Sequence, residues 1–492
     1  MISRRQVFGG LLSGAAILAG APLWAEAPTT SRRPKSRNGT TAKPRGGSSD
    51  ALVKAANLGA AVASYIVMDA MTGAVLDQRD AESPLPPASV AKAVTSLYAL
   101  NRLGPGFRYR TRLLATGPVV AGVVQGDLVL AGSGDPTLQT DQLGDLAAAL
   151  SARGVKGVTG RFLTWDGALP AIARISADQP VHVGYNPSVG GLNLNFNRVH
   201  FEWKRAQDGW STAMDARGER FVPSVRMAKV RIVAREAPLF TYEANDAAEA
   251  WTVASGALGK GGSRWLPVRH PSMYVGEVLQ TLARAQGIAL PDPQPTDRQP
   301  VGQELAGVDS APLSEILREM LRFSTNITAE AVGLRASGAA TLAASGAAMT
   351  DWVRATYGGG CTFVDHSGLG SASRVTATDM ARILHKARLS GAGLHPLLRN
   401  MGMRDAKGAE VKNHPVRVMA KSGTLNFVSG LAGHVMPPKG RELIFAIFLG
   451  DVARRDALSE SDRERPPGGE GWTRRARTLQ GQLIARWAEA FV

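Results

Sequence analysis

Apolar residues recur along this chain with two different periods. Near its start, Tyr65-Ile66-Val67-Met68-Asp69 and Gly73-Ala74-Val75-Leu76 are apolar runs around Met71-Thr72-Gly73, which predicts two strands joined by a turn. Pro84, Pro86 and Pro87 lead into a helix predicted over about Ala88–Leu100, because Val90, Val94, Leu97 and Tyr98 fall at helical spacing. Between roughly 112 and 295 the pattern is mixed. Val119–Leu130 predicts a hairpin around Gln125-Gly126-Asp127, and Leu143, Leu146, Ala147 and Leu150 predict a helix ended by Gly154. Leu192, Leu194 and Phe196 alternate with Asn193, Asn195 and Asn197, the two-residue period of a half-buried strand.

From Pro312 the helical period returns, with Leu313, Ile316, Leu317, Met320 and Leu321 on one face and Ser324-Thr325-Asn326 just before a second helix. Val416, Val418 and Ala420 then alternate with Arg417, Met419 and Lys421 as a strand, and apolar runs follow at Leu431–Met436 and Leu443–Leu449. Trp472, Ala476, Leu479, Leu483 and Trp487 share one face of a closing helix. The fold class is α/β, of the α+β kind, and no internal repeat is present.

The first residues change the picture. Arg4-Arg5, an apolar stretch from Gly9 to about Trp24 and Ala25-Glu26-Ala27 predict a twin-arginine-type export signal over 1–27. Pro28 is a poor cleavage partner, which leaves open both the cut and an uncleaved anchor. Residues 28–50 read as a flexible basic linker, too poor in apolar surface to offset ordering. Eight Lys and Arg against two acids put +6 of the net charge of +16 in residues 1–50, leaving +10 for the body. An exported basic protein has no call for nucleic acid. Anionic cell-wall polymer or a lipid surface is the expected partner, with basic solubility the plain alternative. The location expected is the periplasm, soluble or peripherally associated. No second apolar run reaches the roughly 20 residues of a membrane span. Cys361 is the single cysteine, so no internal disulfide forms, and the glycine run before it suggests a turn rather than a thiol nucleophile.

Three short motifs carry the chemistry. Ser89-Val90-Ala91-Lys92 is the only S-x-x-K, and helical spacing brings its hydroxyl and amine to one face. A start-of-helix serine gains free N–H groups for an oxyanion, and a desolvated Lys92 loses its proton more easily. Lys421-Ser422-Gly423-Thr424 holds the only K-[ST]-G: the lysine suits a substrate carboxylate and the glycine lets a peptide approach the strand. Ser324-x-Asn326 offers a proton relay and an amide, although Ser36-Arg37-Asn38 shows how cheap that pattern is. Each has a bland reading, as a helix start, a strand end or an N-cap, and each is weak alone. Their order, on a helix start, an inter-helix loop and a strand, is that of penicillin-binding proteins and class A β-lactamases.

With these motifs, Gly126-Asp127-Leu128, Gly134-Asp135-Pro136-Thr137-Leu138 and Asp365-His366-Ser367-Gly368-Leu369, the chain resembles the D-alanyl-D-alanine carboxypeptidase/endopeptidase family of low-molecular-mass penicillin-binding proteins (the penicillin-binding protein 4 type, class C). The resemblance covers nearly all of the mature length. It implies a β-lactamase/transpeptidase-like domain from 51–111 plus 296–492, interrupted by an insertion over 112–295 that forms one or two extra domains. It implies Ser89 as acyl-ester nucleophile, Lys92 as proton acceptor, Ser324 as second catalytic serine, and Asn326, Lys421, Ser422, Gly423 and Thr424 as substrate-binding residues. Thr325 and Ser422 depart from the usual motif residues, and His366 stands where the family tends to have glycine, as a turn residue. Peptidoglycan stem peptides are the implied substrate, and β-lactams the covalent inhibitors. Nothing in the sequence specifies an oligomer.

Two rivals remain: a β-lactamase or esterase on the same fold, for which no deacylating glutamate is evident, and a non-enzymatic cell-wall scaffold. Without G-x-S-x-G, H-E-x-x-H or H-x-H, an α/β-hydrolase and a zinc peptidase are disfavoured, and neither metal nor cofactor is expected.

Overall fold

The computed structural model describes residues 48–245, 248–405 and 408–492. The predicted signal, the second S-x-N and the linker as far as residue 47 lie outside the described residues. The linker predicted to reach residue 50 gives way earlier to a helix, Ser49–Ala55, whose first turn the Ser48 hydroxyl caps at Ala51 N.

A six-stranded antiparallel sheet organises the part of the chain that holds all three motifs. Its order is Arg399–Asn400, Arg417–Leu425, Val428–Met436, Leu443–Gly450, Val62–Asp69, Val75–Arg79. The predicted strands near 65–76 and 416–449 therefore belong to one sheet. On one face lies the C-terminal helix Gly469–Phe491, with Trp472, Leu479, Leu483 and Trp487 fully buried against Tyr65, Val67, Phe445 and Ile447. On the other lie the helices Ala91–Leu103 and Ala377–Leu389, packed on Ile66, Ile444, Ala446 and Phe448. The strict alternation of strand residues between these two cores is what gives the sheet two apolar faces. Each large side chain so buried contributes about 1.5–3 kcal/mol.

A second core lies wholly between Leu113 and Ala306. Its five-stranded mixed sheet runs Pro293–Pro295, Phe162–Trp165, Leu128–Ala131, Arg110–Ala115, Gln303–Asp309, and the helices Thr140–Ala152 and Pro271–Ala285 pack on it. Two three-stranded sheets, built from residues 198–267, share this core. A small cluster joins the two parts: Leu169, Ile175 and Val189 meet Ile327, Ala331 and Leu334 of the helix Asn326–Ser337.

Two predicted elements are corrected. Residues 192–197 form an irregular loop, not a strand, and Asn195, Phe196 and Asn197 have positive φ. The alternating asparagines are buried and serve the backbone: Asn193 Oδ1 accepts from Gly190 N and Asn197 Oδ1 from Leu194 N. Asparagine tolerates that conformation and competes with strand ladders for backbone groups. The hairpin over 119–130 is smaller than predicted. It joins Val119–Val120 to Val123–Val124, and Leu128–Ala131 pairs instead with Arg110–Ala115 and Phe162–Trp165. Gly126-Asp127 is a link, where the Asp127 carboxylate receives Arg161 N at 2.7 Å and its guanidinium at 2.9 Å.

Candidate active site

The predicted helix at Ala88 opens with a tight 3-10 turn, Ala88–Val90, continued by Ala91–Leu103. Ala88 has φ +46°, a conformation that costs an L-residue about 1 kcal/mol or more. The turn is held from two sides. A Cβ on Gly423 would lie 2.7 Å from Pro87 O and 2.9 Å from Ser89 N, and one on Gly430, its cross-strand partner, 3.0 Å from Val90 Cγ2. A Cβ on Gly368 would run into the Ala88 carbonyl. Only bare backbone fits there, so the sheet and the 365–370 loop close around Ser89.

Lys92, on the first turn of that helix, is fully buried. Its ammonium donates to Ser89 Oγ at 2.9 Å, Asn326 Oδ1 at 2.7 Å and Ser367 O at 2.8 Å, using all three of its donors. Burial pushes its pKa down to about 8 against the opposing pull of Glu330 and Asp365. The second lysine, Lys421, donates to Ser324 Oγ at 3.0 Å and to Ser422 O at 2.7 Å. Burial, and then the like charge of Lys92, hold it well below the ordinary lysine range. Ser324 sits in the left-handed region, φ 60°, at the end of the helix Leu313–Phe323. That kink turns its hydroxyl to Lys421, and Thr325, not Ser324, takes the N-cap position of the next helix.

Ser89, Ser324, Asn326, Ser422, Gly423 and Thr424 line one cleft of about 1340 Å³, with the two lysines buried behind it. All eight residues expected from the motifs are thus brought together. Residues the motifs did not signal complete the arrangement. Asn326 Nδ2 donates to Tyr185 O at 2.9 Å, so a loop of the central stretch fixes the amide with its oxygen toward Lys92. Glu330, one helical turn after Asn326, accepts from His366 N at 3.0 Å and Ser367 N at 2.8 Å, and Asp365 accepts from Gly368 N and Gly370 N. Burial, with Asp365 nearby, pushes Glu330 above the ordinary carboxyl range. These carboxylates hold the loop whose Ser367 carbonyl receives Lys92. The four-residue spacing of Asn326 and Glu330 was the available signal.

His366 lies in that loop as expected, but its ring is structural. It is buried with Nε2 2.6 Å from Ser345 Oγ, stacks on Tyr98, and is pushed down to about 3 by burial. Cys361 is also buried, and burial raises its thiol pKa, against thiolate chemistry. Among the described residues no cluster of metal-ligating side chains occurs.

The arrangement suits acyl transfer: a hydroxyl beside a buried amine, a second hydroxyl on a second amine, and a strand edge for an extended peptide. Comparison with known proteins agrees. The family model described as "D-Ala-D-Ala carboxypeptidase 3 (S13) family" matches residues 48–466. A D-alanyl-D-alanine carboxypeptidase from Actinomadura sp. (strain R39) is 27% identical, with 90% of this chain and 89% of the relative covered. A crystal structure of penicillin binding protein 4 from Haemophilus influenzae superposes with a TM-score of 0.70 at 19% identity, covering 89% of this chain and 100% of that one. That protein is also known complexed with a novel β-lactam.

Proposed function

The chain belongs to the D-Ala-D-Ala carboxypeptidase 3 (S13) family, and on that premise we propose that its penicillin-binding D,D-peptidase activity runs through an acyl-enzyme on Ser89. A stem peptide ending in D-Ala-D-Ala lies along Lys421–Leu425. Neutral Lys92 takes the Ser89 proton as Oγ attacks the carbonyl of the penultimate D-Ala. Backbone N–H groups at Ser89 and Thr424 receive the oxyanion. The tetrahedral species collapses, the C–N bond breaks, and Ser324, on Lys421, passes a proton to the leaving amine. D-Ala departs, water repeats the sequence against the ester, and Ser89 is regenerated. The observation that carries this reading is the direct contact of Lys92 Nζ with Ser89 Oγ at full burial.

A β-lactam places the same carbonyl on Ser89 and keeps its leaving group tethered. A rival β-lactamase reading lacks support at its key residue. Glu330 is buried with both oxygens on backbone N–H groups, and it does not line the cleft. Export to the periplasm, the 112–295 insertion as a separate domain and peptidoglycan as the natural substrate belong to this proposal.

The test is digestion of purified muropeptides by wild type and Ser89→Ala, with products weighed by mass spectrometry. Wild type is expected to remove a terminal alanine, and Ser89→Ala to remove none and to lose covalent labelling by fluorescent penicillin. Equal cleavage by the two proteins overturns the assignment, and rapid nitrocefin turnover by wild type points to the β-lactamase instead.

A further inference from the structure

The motif strand Arg417–Leu425 divides its side chains between two faces. Lys421 and Gly423 turn toward Ser324 and Ser89, whereas Val418 and Ala420 pack into the core under the C-terminal helix. By strand alternation Ser422 and Thr424 stand on that second face. Arg477 of the helix meets them there: its Nη2 donates to Thr424 Oγ1 at 3.2 Å, and both residues are exposed in the cleft. On its outer side the strand is paired only as far as Ala420, by Arg399–Asn400 and by Met401 N on Val418 O. Its edge from Lys421 onward is therefore open to a peptide.

Charge at this edge is unbalanced. Among the described residues no carboxylate lies within ion-pair distance of Lys421, Arg399 or Arg477. Of the two carboxylates that line the cleft, Glu464 is held by His182 and Arg264, and Glu470 sits in the first turn of the C-terminal helix, about two turns before Arg477. Lys421 is a poor sole anchor for an anion, since Ser324 and Ser422 O take two of its three donors and burial disfavours its charge. A guanidinium keeps its charge and spends one of five donors here.

We infer that Arg477, with the Thr424 and Ser422 hydroxyls, recognises the free α-carboxylate of the departing residue and sets the preference for a C-terminal bond over an internal one. Arg477 is thus a specificity residue, with no part in proton transfer. The inference rests on the peptidase reading above.

Two substrates sharing the D-Ala-D-Ala bond separate the effects: a peptide with a free C-terminal carboxylate and the same peptide as its carboxamide. Arg477→Gln removes a charge-assisted hydrogen bond to the carboxylate and leaves the neutral amide's contacts in place. Arg477→Gln is therefore expected to lower kcat/KM for the acid about 10- to 100-fold, with the amide nearly unchanged. Arg477→Lys should retain an intermediate acid preference. Parallel losses on both substrates, or no change on either, overturn the inference. If wild type cleaves neither peptide, the peptidase reading itself fails, an outcome distinct from a lost preference.

Discussion

Lys92 has to be neutral to accept a proton from Ser89, and burial with a pKa near 8 makes that accessible close to neutral pH. Acylation by a β-lactam should rise with pH through about 8 and level off above it, because the deprotonated form is the active one. A flat profile from pH 6 to 10 would remove Lys92 as the base. Glu330 opposes the lysine's depression, so Glu330→Gln should move that rising limb to lower pH. It should also slow acylation, because a side-chain amide presents one acceptor to the two backbone N–H groups the carboxylate holds. A slowed enzyme with an unmoved limb would leave Glu330 with a purely structural part. At this scale the sequence was most readable where a motif names side chains. The spacing of Asn326 and Glu330 hinted at a shared helix face, but the contacts of Glu330 and of the Tyr185 carbonyl cross 36 and 141 positions of chain, which no local pattern encodes.

Elements were legible where one face is apolar and the other is not. The closing helix keeps Trp472, Leu479, Leu483 and Trp487 in its core, and the helix at Leu313 buries all five residues of its predicted face. The asparagine loop misled because alternation alone does not say whether polar residues face water or the backbone. Asn193→Ala should cost about 1–3 kcal/mol by denaturant unfolding, since its bonds to Gly190 N and Gly190 O are buried. A loss of only a few tenths would show that the loop holds itself by other means. The Gly423 seat makes the opposite kind of prediction. Gly423→Val should abolish penicillin labelling while far-UV dichroism is retained, because the added carbons meet Pro87 O and Ser89 N rather than the core. Normal labelling of that variant would mean that the turn at Ser89 adapts.

At the scale of the molecule, the central stretch grips the part that holds Ser89 through several contacts. The Tyr185 carbonyl holds Asn326, Glu464 bridges His182 and Arg264, and Leu169, Ile175 and Val189 pack on the helix after Ser324. Ile175→Ala should lower stability by about 2–5 kcal/mol and slow β-lactam acylation as well. Stability lost with acylation untouched would make this packing a passive seam. That seam could not be read beforehand, since Leu169, Ile175 and Val189 belong to segments that look like ordinary loops.

The contact between Lys92 and Asn326 spans 234 positions, and Ser324 waits on Lys421 for another 97. In the order of synthesis this makes activity the last property the polypeptide acquires. Ser89 emerges early from the ribosome, but Lys421, which holds Ser324, arrives only after 420 of the 492 residues. Nascent, stalled or proteolysed chains ending short of Lys421 should therefore carry Ser89 and remain inert. Such a schedule keeps the peptidase inert until it is whole.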